Sequence, residues 1–172
     1  MNDQARTVDE IVPDTYRQVL GHVPTGVVVL TATGPEGPLG MACNSFTSVS
    51  LAPPLVSFCA ARTSLTWPQI RATGHFCVNV MASHHIDATR GFARRGHDRF
   101  RGVTWYQRHG GPGIVDAVAW IDCDIVAQYD AGDHVIVLGR VRALDARADG
   151  TPLVFWRGEY GDYGRTHTRV VS

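Results

Sequence analysis

Residues 27–33 read VVVLTAT and residues 34–40 read GPEGPLG. The first stretch is β-branched and apolar on both alternating faces, the pattern of a strand covered on two sides. The second sets three glycines and two prolines within seven residues and reads as a turn. Extended character resumes over Met41–Val49 and, after the Pro53–Pro54 break, over Leu55–Ala60. Further strands are expected at Phe76–Met81 (FCVNVM), about Ala119–Tyr129, His134–Leu144 and Leu153–Tyr160. Val135–Gly139 is again apolar on both faces, and a second subunit is one way to cover it. Helical spacing is confined to Pro13–Leu20, capped by Gly21, to about Leu65–Thr73, ended by Gly74, and to about Ile86–Arg94. Many strands with few helices predict a mainly β fold, a closed or partly closed barrel.

The 172 residues make one domain's worth of chain with length enough to bury a core. We expect a flexible N-terminal segment at 1–12, a single domain at 13–164 and a tail at 165–172. Sixteen basic residues balance sixteen acidic ones, which disfavours a nucleic-acid partner. All the basic residues are arginine, so a lysine Schiff base or a lysine phosphate clamp is excluded. No apolar run reaches the length of a membrane-spanning helix, and the start MNDQARTVDE is no signal peptide, so a cytoplasmic location and no membrane partner are expected. Cys43, Cys59, Cys77 and Cys123 form no C-x-x-C pair, and three of them lie in apolar runs; buried free thiols are the expectation.

Familiar catalytic signatures are absent: no G-x-S-x-G, no H-E-x-x-H, no Walker loop. Gly34, Gly37 and Gly40 are interrupted by prolines and lead into no helix, so they make a hairpin turn and not a dinucleotide fingerprint. The eight histidines are scattered, with no carboxylates at ligand spacing, and no metal is expected. Three segments carry chemistry. In NSFTSVS (Asn44–Ser50), strand alternation would put Asn44, Phe46, Ser48 and Ser50 on one face and Ser45, Thr47 and Val49 on the other. That offers many hydrogen bonds with little bulk, suited to a flat polar ligand, or to an ordinary solvated edge strand. Arg62, Thr63 and Ser64 precede a helix with Ser64 or Thr66 as N-cap, which makes either a phosphate site or a plain cap. His134 follows the tight turn Ala131–Asp133 and starts a strand, where it is placed to position a substrate or move a proton, or simply to meet solvent.

Taken together, PTGVVVLTA (24–32), GMACNSFTSVSLAPPLVSFC (40–59), R-T-S (62–64), FCVNVM (76–81), FA…RF (92–100), GDHVIVLGRV (132–141) and PLVFWRGEYG (152–161) resemble the flavin reductase family with an FMN-binding split barrel. Its members are the reductase components of two-component flavin-dependent monooxygenases, and the likeness spans residues 14–164. The resemblance implies a homodimeric split β-barrel of Greek-key type with a few short helices. It implies hydride transfer from NADH (NADPH less so) to FAD or FMN, and release of reduced flavin to a partner monooxygenase. Asn44, Ser45, Thr47, Ser48 and Ser50 resemble contacts to the flavin ring and ribityl chain, with backbone of Cys59 and Ala60 near the ring. Arg62, Thr63 and Ser64 resemble the phosphate-binding turn, and Gly26 admits close approach of the cofactor. His134 and Tyr160 resemble residues near the nicotinamide, and Phe92–Arg95 a loop over the site. His134 orients the nicotinamide or relays a proton in this reading. A split-barrel flavoprotein that retains its flavin, as an oxidase or as a non-catalytic module, is the alternative.

Overall fold

The computed structural model describes residues 11–94, 96 and 98–164. Residues 1–10 of the expected N-terminal segment, the expected tail 165–172 and Arg95 lie outside the described residues. In chain order the elements are α1 (Pro13–Leu20), β1 (Thr25–Gly26), β2 (Val28–Gly34), β3 (Gly37–Cys43), β4 (Thr47–Leu51), β5 (Pro54–Ala61), α2 (Trp67–Thr73), β6 (His75–Val80), a 3₁₀ turn (Ser83–His85), α3 (Ile86–Ala93), β7 (Trp105–Gln107), β8 (Pro112–Ile114), β9 (Ala119–Ala131), β10 (His134–Ala146), β11 (Leu153–Trp156) and β12 (Glu159–Asp162). The chain is mainly β, as its composition of strand signals predicts.

Seven strands form one antiparallel sheet in the order β3-β2-β6-β9-β10-β5-β4. Six of them turn side chains onto a common core: Val28, Leu30 and Ala32 from β2, Cys43 from β3, Val56, Phe58 and Ala60 from β5, Phe76 and Val78 from β6, Cys123 from β9 and Val137 from β10. A sheet can wrap one face around a single core only by curling. Trp67 and Ile70 of α2 plug that core, and Phe58 meets Trp67 and Phe76 edge to face, each at 5.3 Å between ring centroids. Burying each such side chain stabilises the fold by about 1.5–3 kcal/mol. Gly139 is required here, because a Cβ on it would sit 2.6 Å from Phe76 Cζ. The opposite face of β2 is covered as well: Val27 and Val29 pack with Met81, Phe92, Ile114 and Leu153. The two-sided apolar reading of VVVLTAT therefore holds within one chain.

The sheet does not close by backbone hydrogen bonds; β3 and β4 are its two edges. The seam beside β5 is instead bridged by a side chain. Thr47 pairs with Ser57, so Ser45 stands opposite Cys59 in the same register. There the Ser45 hydroxyl accepts from Cys59 N–H at 2.9 Å and donates to Cys59 C=O at 3.2 Å. One hydroxyl does what a backbone amide pair does in a ladder.

Four expectations about elements change. The strand expected over Met41–Val49 is broken at Asn44–Phe46, and a register shift between Ser48 and Ser50 breaks the alternation again. The two-face assignment of Asn44–Ser50 therefore fails, because alternation survives only in an unbroken pleat. The turn expected over Gly34–Gly40 is shorter: β2 runs to Gly34 and β3 starts at Gly37, so Pro38 and Gly40 are in a strand. Leu153–Tyr160 is two strands, because Arg157 and Gly158 both take positive φ and turn the chain. The hairpin β7–β8 was not expected. It is held by burial of polar groups: Asn79 donates to Val29, Thr31 and Pro112 and accepts from Ile114 N–H at 2.6 Å, and Asp122 receives Gly110 N–H and the Arg108 guanidinium. Short strands with few apolar residues give no periodic signal. The hairpin anchors the far end of the segment that follows α3, which matters for the site.

Candidate functional site

β3 is an edge strand, and its uncovered side is roofed by α3 and the segment that follows it. The result is a cavity of about 460 Å³. Its floor is Pro38–Ala42 of β3; one wall is Ala61 and the turn Thr63–Thr66; the other is Phe92, Ala93 and Asp98–Phe100. A second cleft of about 180 Å³ continues past Ala42 and Ala93, which line both, to Cys43, Asn44, Val27, Phe155 and Tyr160. Gly40 fixes how low the roof sits, since a Cβ there would come 2.5 Å from Phe92 Cε1. Phe92 and Phe100 meet edge to face at 5.0 Å in the roof.

Five residues anticipated from the sequence are gathered in this double cleft: Thr63, Ser64 and Phe92 in the larger part, Asn44 and Tyr160 in the smaller. Thr66 is the N-cap of α2 and makes no capping bond of its own; the Ser64 hydroxyl instead accepts from Trp67 N–H at 3.1 Å. Tyr160 packs on Phe155, with the Arg90 guanidinium 5.9 Å above its ring. Gly26 precedes Val27, which lines the smaller part; a Cβ on it would meet nothing within 4 Å, so the chain itself does not demand glycine there.

The other anticipated residues are placed differently. Thr47, Ser48 and Ser50 lie on β4, outside both cavities, and the Thr47 hydroxyl donates to Ser48 C=O. Ser45 is engaged at the seam, where it also lies 3.2 Å from Cys43 Sγ. Burial pushes the Cys43 thiol above its ordinary range, with the Ser45 hydrogen bond opposing. Cys59 is half-buried with its N–H and C=O both engaged by Ser45, and Ala60 is wholly buried, so of the two only the outer face of Cys59 is open to a ligand. Arg62 turns away from the cavity: its guanidinium meets Asp130 Oδ1 at 2.7 Å and Gly132 C=O at 3.0 Å, and its N–H meets Asp133 C=O at 2.9 Å. Three contacts thus tie the Arg62–Ser64 turn to the β9–β10 turn that carries His134. His134 Nδ1 lies 2.7 Å from Asp133 Oδ1, and this hydrogen bond with the attendant charge holds the Asp133 carboxyl below the usual carboxylate range. An ionised Asp133 keeps the proton on Nδ1 and leaves Nε2 for a ligand.

One residue of the site was missed. Arg99 donates through Nη1 to Gly40 C=O at 2.6 Å and to Thr66 Oγ1 at 2.5 Å, and through Nε to Arg94 C=O at 3.2 Å. It lines the larger cavity and pairs with no carboxylate among the described residues. Burial holds its pKa below the ordinary arginine value, and a guanidinium stays protonated in proteins. It brings a fixed positive charge to the cavity wall. The only sequence signal was its place in the FA…RF match; an arginine among four within eight residues has no pattern of its own.

Among the described residues no cluster of three or more His, Cys, Asp or Glu side chains is arranged to hold a metal. All four cysteines are free thiols. No described helix is long and apolar enough to cross a membrane.

The chain is 46% identical over 153 residues to a flavin reductase of Pseudomonas putida, covering 88% of this chain and 90% of that one. It is 40% identical over 154 residues to the flavin-dependent monooxygenase reductase subunit HsaB of Mycobacterium tuberculosis, covering 88% and 82%. Among solved structures it is similar to the NADH:FAD oxidoreductase SgcE6 of Streptomyces globisporus in complex with NAD and FAD fragments, with a TM-score of 0.88, 36% identity, and 95% and 100% of the two chains covered. Residues 20–164 match the flavin reductase like domain, and the chain belongs to that family.

Proposed function

We propose that this chain is an NADH:flavin oxidoreductase that reduces a diffusible flavin and releases it to a separate flavin-dependent monooxygenase. The observation that carries the reading is the double cleft along β3. A phosphate-sized polar turn (Thr63–Ser64, with Arg99 opposite) lies at one part of it, and Asn44, Tyr160 and a flat apolar floor lie at the other, in a chain of this family. The flavin and the nicotinamide supply the redox chemistry, a hydride passing from nicotinamide C4 to flavin N5.

The protein's share is placement and electrostatics. Thr63, Ser64 and Arg99 hold the phosphate end by hydrogen bonds and charge. Asn44, with Ser45, Thr47, Ser48, Ser50 and the outer face of Cys59, forms the polar surround of the ring, and Gly26 leaves room for it. His134, oriented by Asp133, presents Nε2 to the carboxamide side of the nicotinamide, and Tyr160 and Phe92 bound the ring from the roof. Arg62 acts through position, by clamping the two turns together. An open cleft built from small hydroxyls and backbone groups favours release over retention, and a reductase that feeds another enzyme needs release.

Several polar residues of this set lie beyond the cleft of a single chain, which supports a homodimeric split barrel of Greek-key type. Exposed Val49 and Leu51 on β4, Val126 and Tyr129 on β9 and Ile136 on β10 form the apolar surface that a second copy would cover. Four free thiols fit a reducing cytoplasm.

The test is anaerobic. Catalytic protein is mixed with NADH and excess FAD or FMN, and flavin absorbance near 450 nm is followed on the order of minutes, a turnover regime ordinary for enzymes. Bleaching of many equivalents of flavin by colourless protein is the expected result. No bleaching with either flavin refutes the reading.

A further inference from the structure

Resting on the reading above, we propose that a collar of exposed arginines on the rim of the cleft, Arg90, Arg94 and Arg101, collects anionic nucleotides from solution without touching them once they are bound. The collar sets the rate of encounter and leaves the resting place of the ligand to other residues. Its first support is how charge is distributed along a neutral chain. Residues 37–115 hold eight arginines against two aspartates, Asp87 and Asp98, a formal charge of +6. The rest of the chain holds eight arginines against fourteen acidic residues, a formal charge of −6. Every residue that lines the larger cavity comes from the positive stretch. Nine of the acids fall within residues 116–162, on β9, β10, the hairpin β11–β12 and their loops. Where that acidic ribbon comes near the site its charge is answered: Asp130 meets Arg62 and Asp133 meets His134.

The positive stretch has a centre. Residues 90–101 carry five arginines and a single acid, Asp98, whose Oδ1 is taken by Phe100 N–H at 3.2 Å. Ala93 and Phe100 line the larger cavity, and the residues that follow them, Arg94 and Arg101, are exposed. Among the described residues neither side chain pairs with a carboxylate or makes a hydrogen bond that the fold uses. Arg90 stands 5.9 Å over the ring of Tyr160, beside the smaller cleft. Its partner Asp87 lies at 3.5 Å with both side chains more than half exposed, so solvent screens that pair. Arg99 differs from all three, being spent on oxygens of the cavity wall.

Charges of one sign around a cleft with low-dielectric walls focus the field into it and raise association rates by about 10–10³. A phosphate monoester carries about −1.5 to −2 charges at neutral pH, so a flavin nucleotide is drawn and riboflavin, which has the same ring and no phosphate, is not. The pull reaches about 30 Å at 0.01 M salt and about 10 Å at 0.1 M. A reductase that gives its flavin away must meet a new one at each turnover, which makes encounter as important to it as affinity. Steering depends on charge alone, whereas a bound contact depends on the fork of the guanidinium. That difference is measurable.

The test is rapid mixing of the protein with FMN or riboflavin, without NADH, with association and dissociation rates read separately from quenching of flavin fluorescence. Between about 10 and 200 mM salt the association rate of FMN should fall about tenfold and that of riboflavin should stay within about twofold. The double variant Arg94→Gln, Arg101→Gln changes two exposed side chains and leaves the core alone. At low salt it should take up FMN about fivefold more slowly, with dissociation within about twofold of the wild type, and at high salt the two should converge. Arg94→Lys, Arg101→Lys keeps the charge and should keep the wild-type rate. FMN association indifferent to salt, or equally salt-dependent in the wild type and the glutamine variant, overturns the proposal and leaves the flavin-reductase reading standing. So does riboflavin slowed by salt as much as FMN. A glutamine variant that loses FMN by faster dissociation makes these arginines contacts and not collectors, which also overturns it. If the wild type takes up neither flavin, the reading itself fails and the collar goes with it.

Discussion

Replacing Ser45 by alanine tests whether a side chain holds the seam of the sheet. Two hydrogen bonds are lost, one from Cys59 N–H at 2.9 Å and one to Cys59 C=O at 3.2 Å. The site is partly open to water, so the full penalty of a buried orphan does not apply, and each bond contributes about 0.5–1.5 kcal/mol, or about 1–3 kcal/mol together. For a chain of this size that lowers the melting temperature by roughly 2–12 °C. The functional effect should exceed the stability effect, because Cys59 then drifts from the place proposed for the flavin ring. Flavin affinity, measured by fluorescence quenching well below the melting transition, should fall severalfold. Ser45→Thr keeps the hydroxyl and should restore most of both losses. Ser48→Ala, on the neighbouring strand with no such bridge, serves as the matched control and should melt with the wild type. If Ser45→Ala melts with the wild type, the bridge carries no load and the seam is held by packing alone.

Three other outcomes are expected. His134→Ala should lower the turnover number with NADH about tenfold, a loss of orientation, while flavin affinity measured by quenching stays within twofold; a larger effect on flavin than on turnover would move His134 to the flavin. In the folded protein one thiol, Cys59, should react quickly with a disulfide reagent at pH 8, and all four after unfolding. Cys77 and Cys123 are fully buried, and desolvation raises both thiols, Cys123 to about 12, so neither supplies thiolate. His85 has its pKa lowered, first by burial and then by the neighbouring His84. Below about pH 6.5 the unfolded chain therefore takes up a proton that the folded chain resists, and stability falls as pH drops through that range. Melting curves between pH 7.5 and 5.0 should show a steeper decline for the wild type than for His85→Gln.

What the sequence disclosed follows from what each signal needs. Long strands with β-branched runs announce themselves, so β2, β5, β6, β9 and β10 were legible to within a few residues. Phe92, Thr63, Ser64, Asn44 and Tyr160 were legible as neighbours in one cleft because the matching motifs are contiguous and the strands carry them to one place. The alternation of Asn44–Ser50 was not, since a chain break and a bulge are decisions of tertiary structure: Ser45 leaves the ladder in order to bond Cys59 by its side chain. Arg99 was hidden for a different reason. Its value lies in three oxygens contributed by residues far apart in sequence, Gly40, Thr66 and Arg94. No local pattern records such a meeting. The β7–β8 hairpin was hidden likewise, because Asn79 and Asp122 hold it from two other strands.

Arg62 shows why stability and function must be weighed separately in such a site. Its ion pair with Asp130 is half-exposed on one side and 82% exposed on the other, and pairs of that kind contribute about 0–1 kcal/mol. As a stabilising device it is weak. As a positioning device it is specific: one guanidinium and one amide bind Asp130, Gly132 and Asp133, the residues immediately before His134. The turn proposed to hold the flavin phosphate and the turn proposed to aim His134 toward the nicotinamide are therefore tied to one another. In the proposed reaction hydride transfer depends on the relative placement of two ligands, and a small misplacement lowers the rate far more than it lowers stability. A contact of little thermodynamic weight is then where selection on rate would act most strongly.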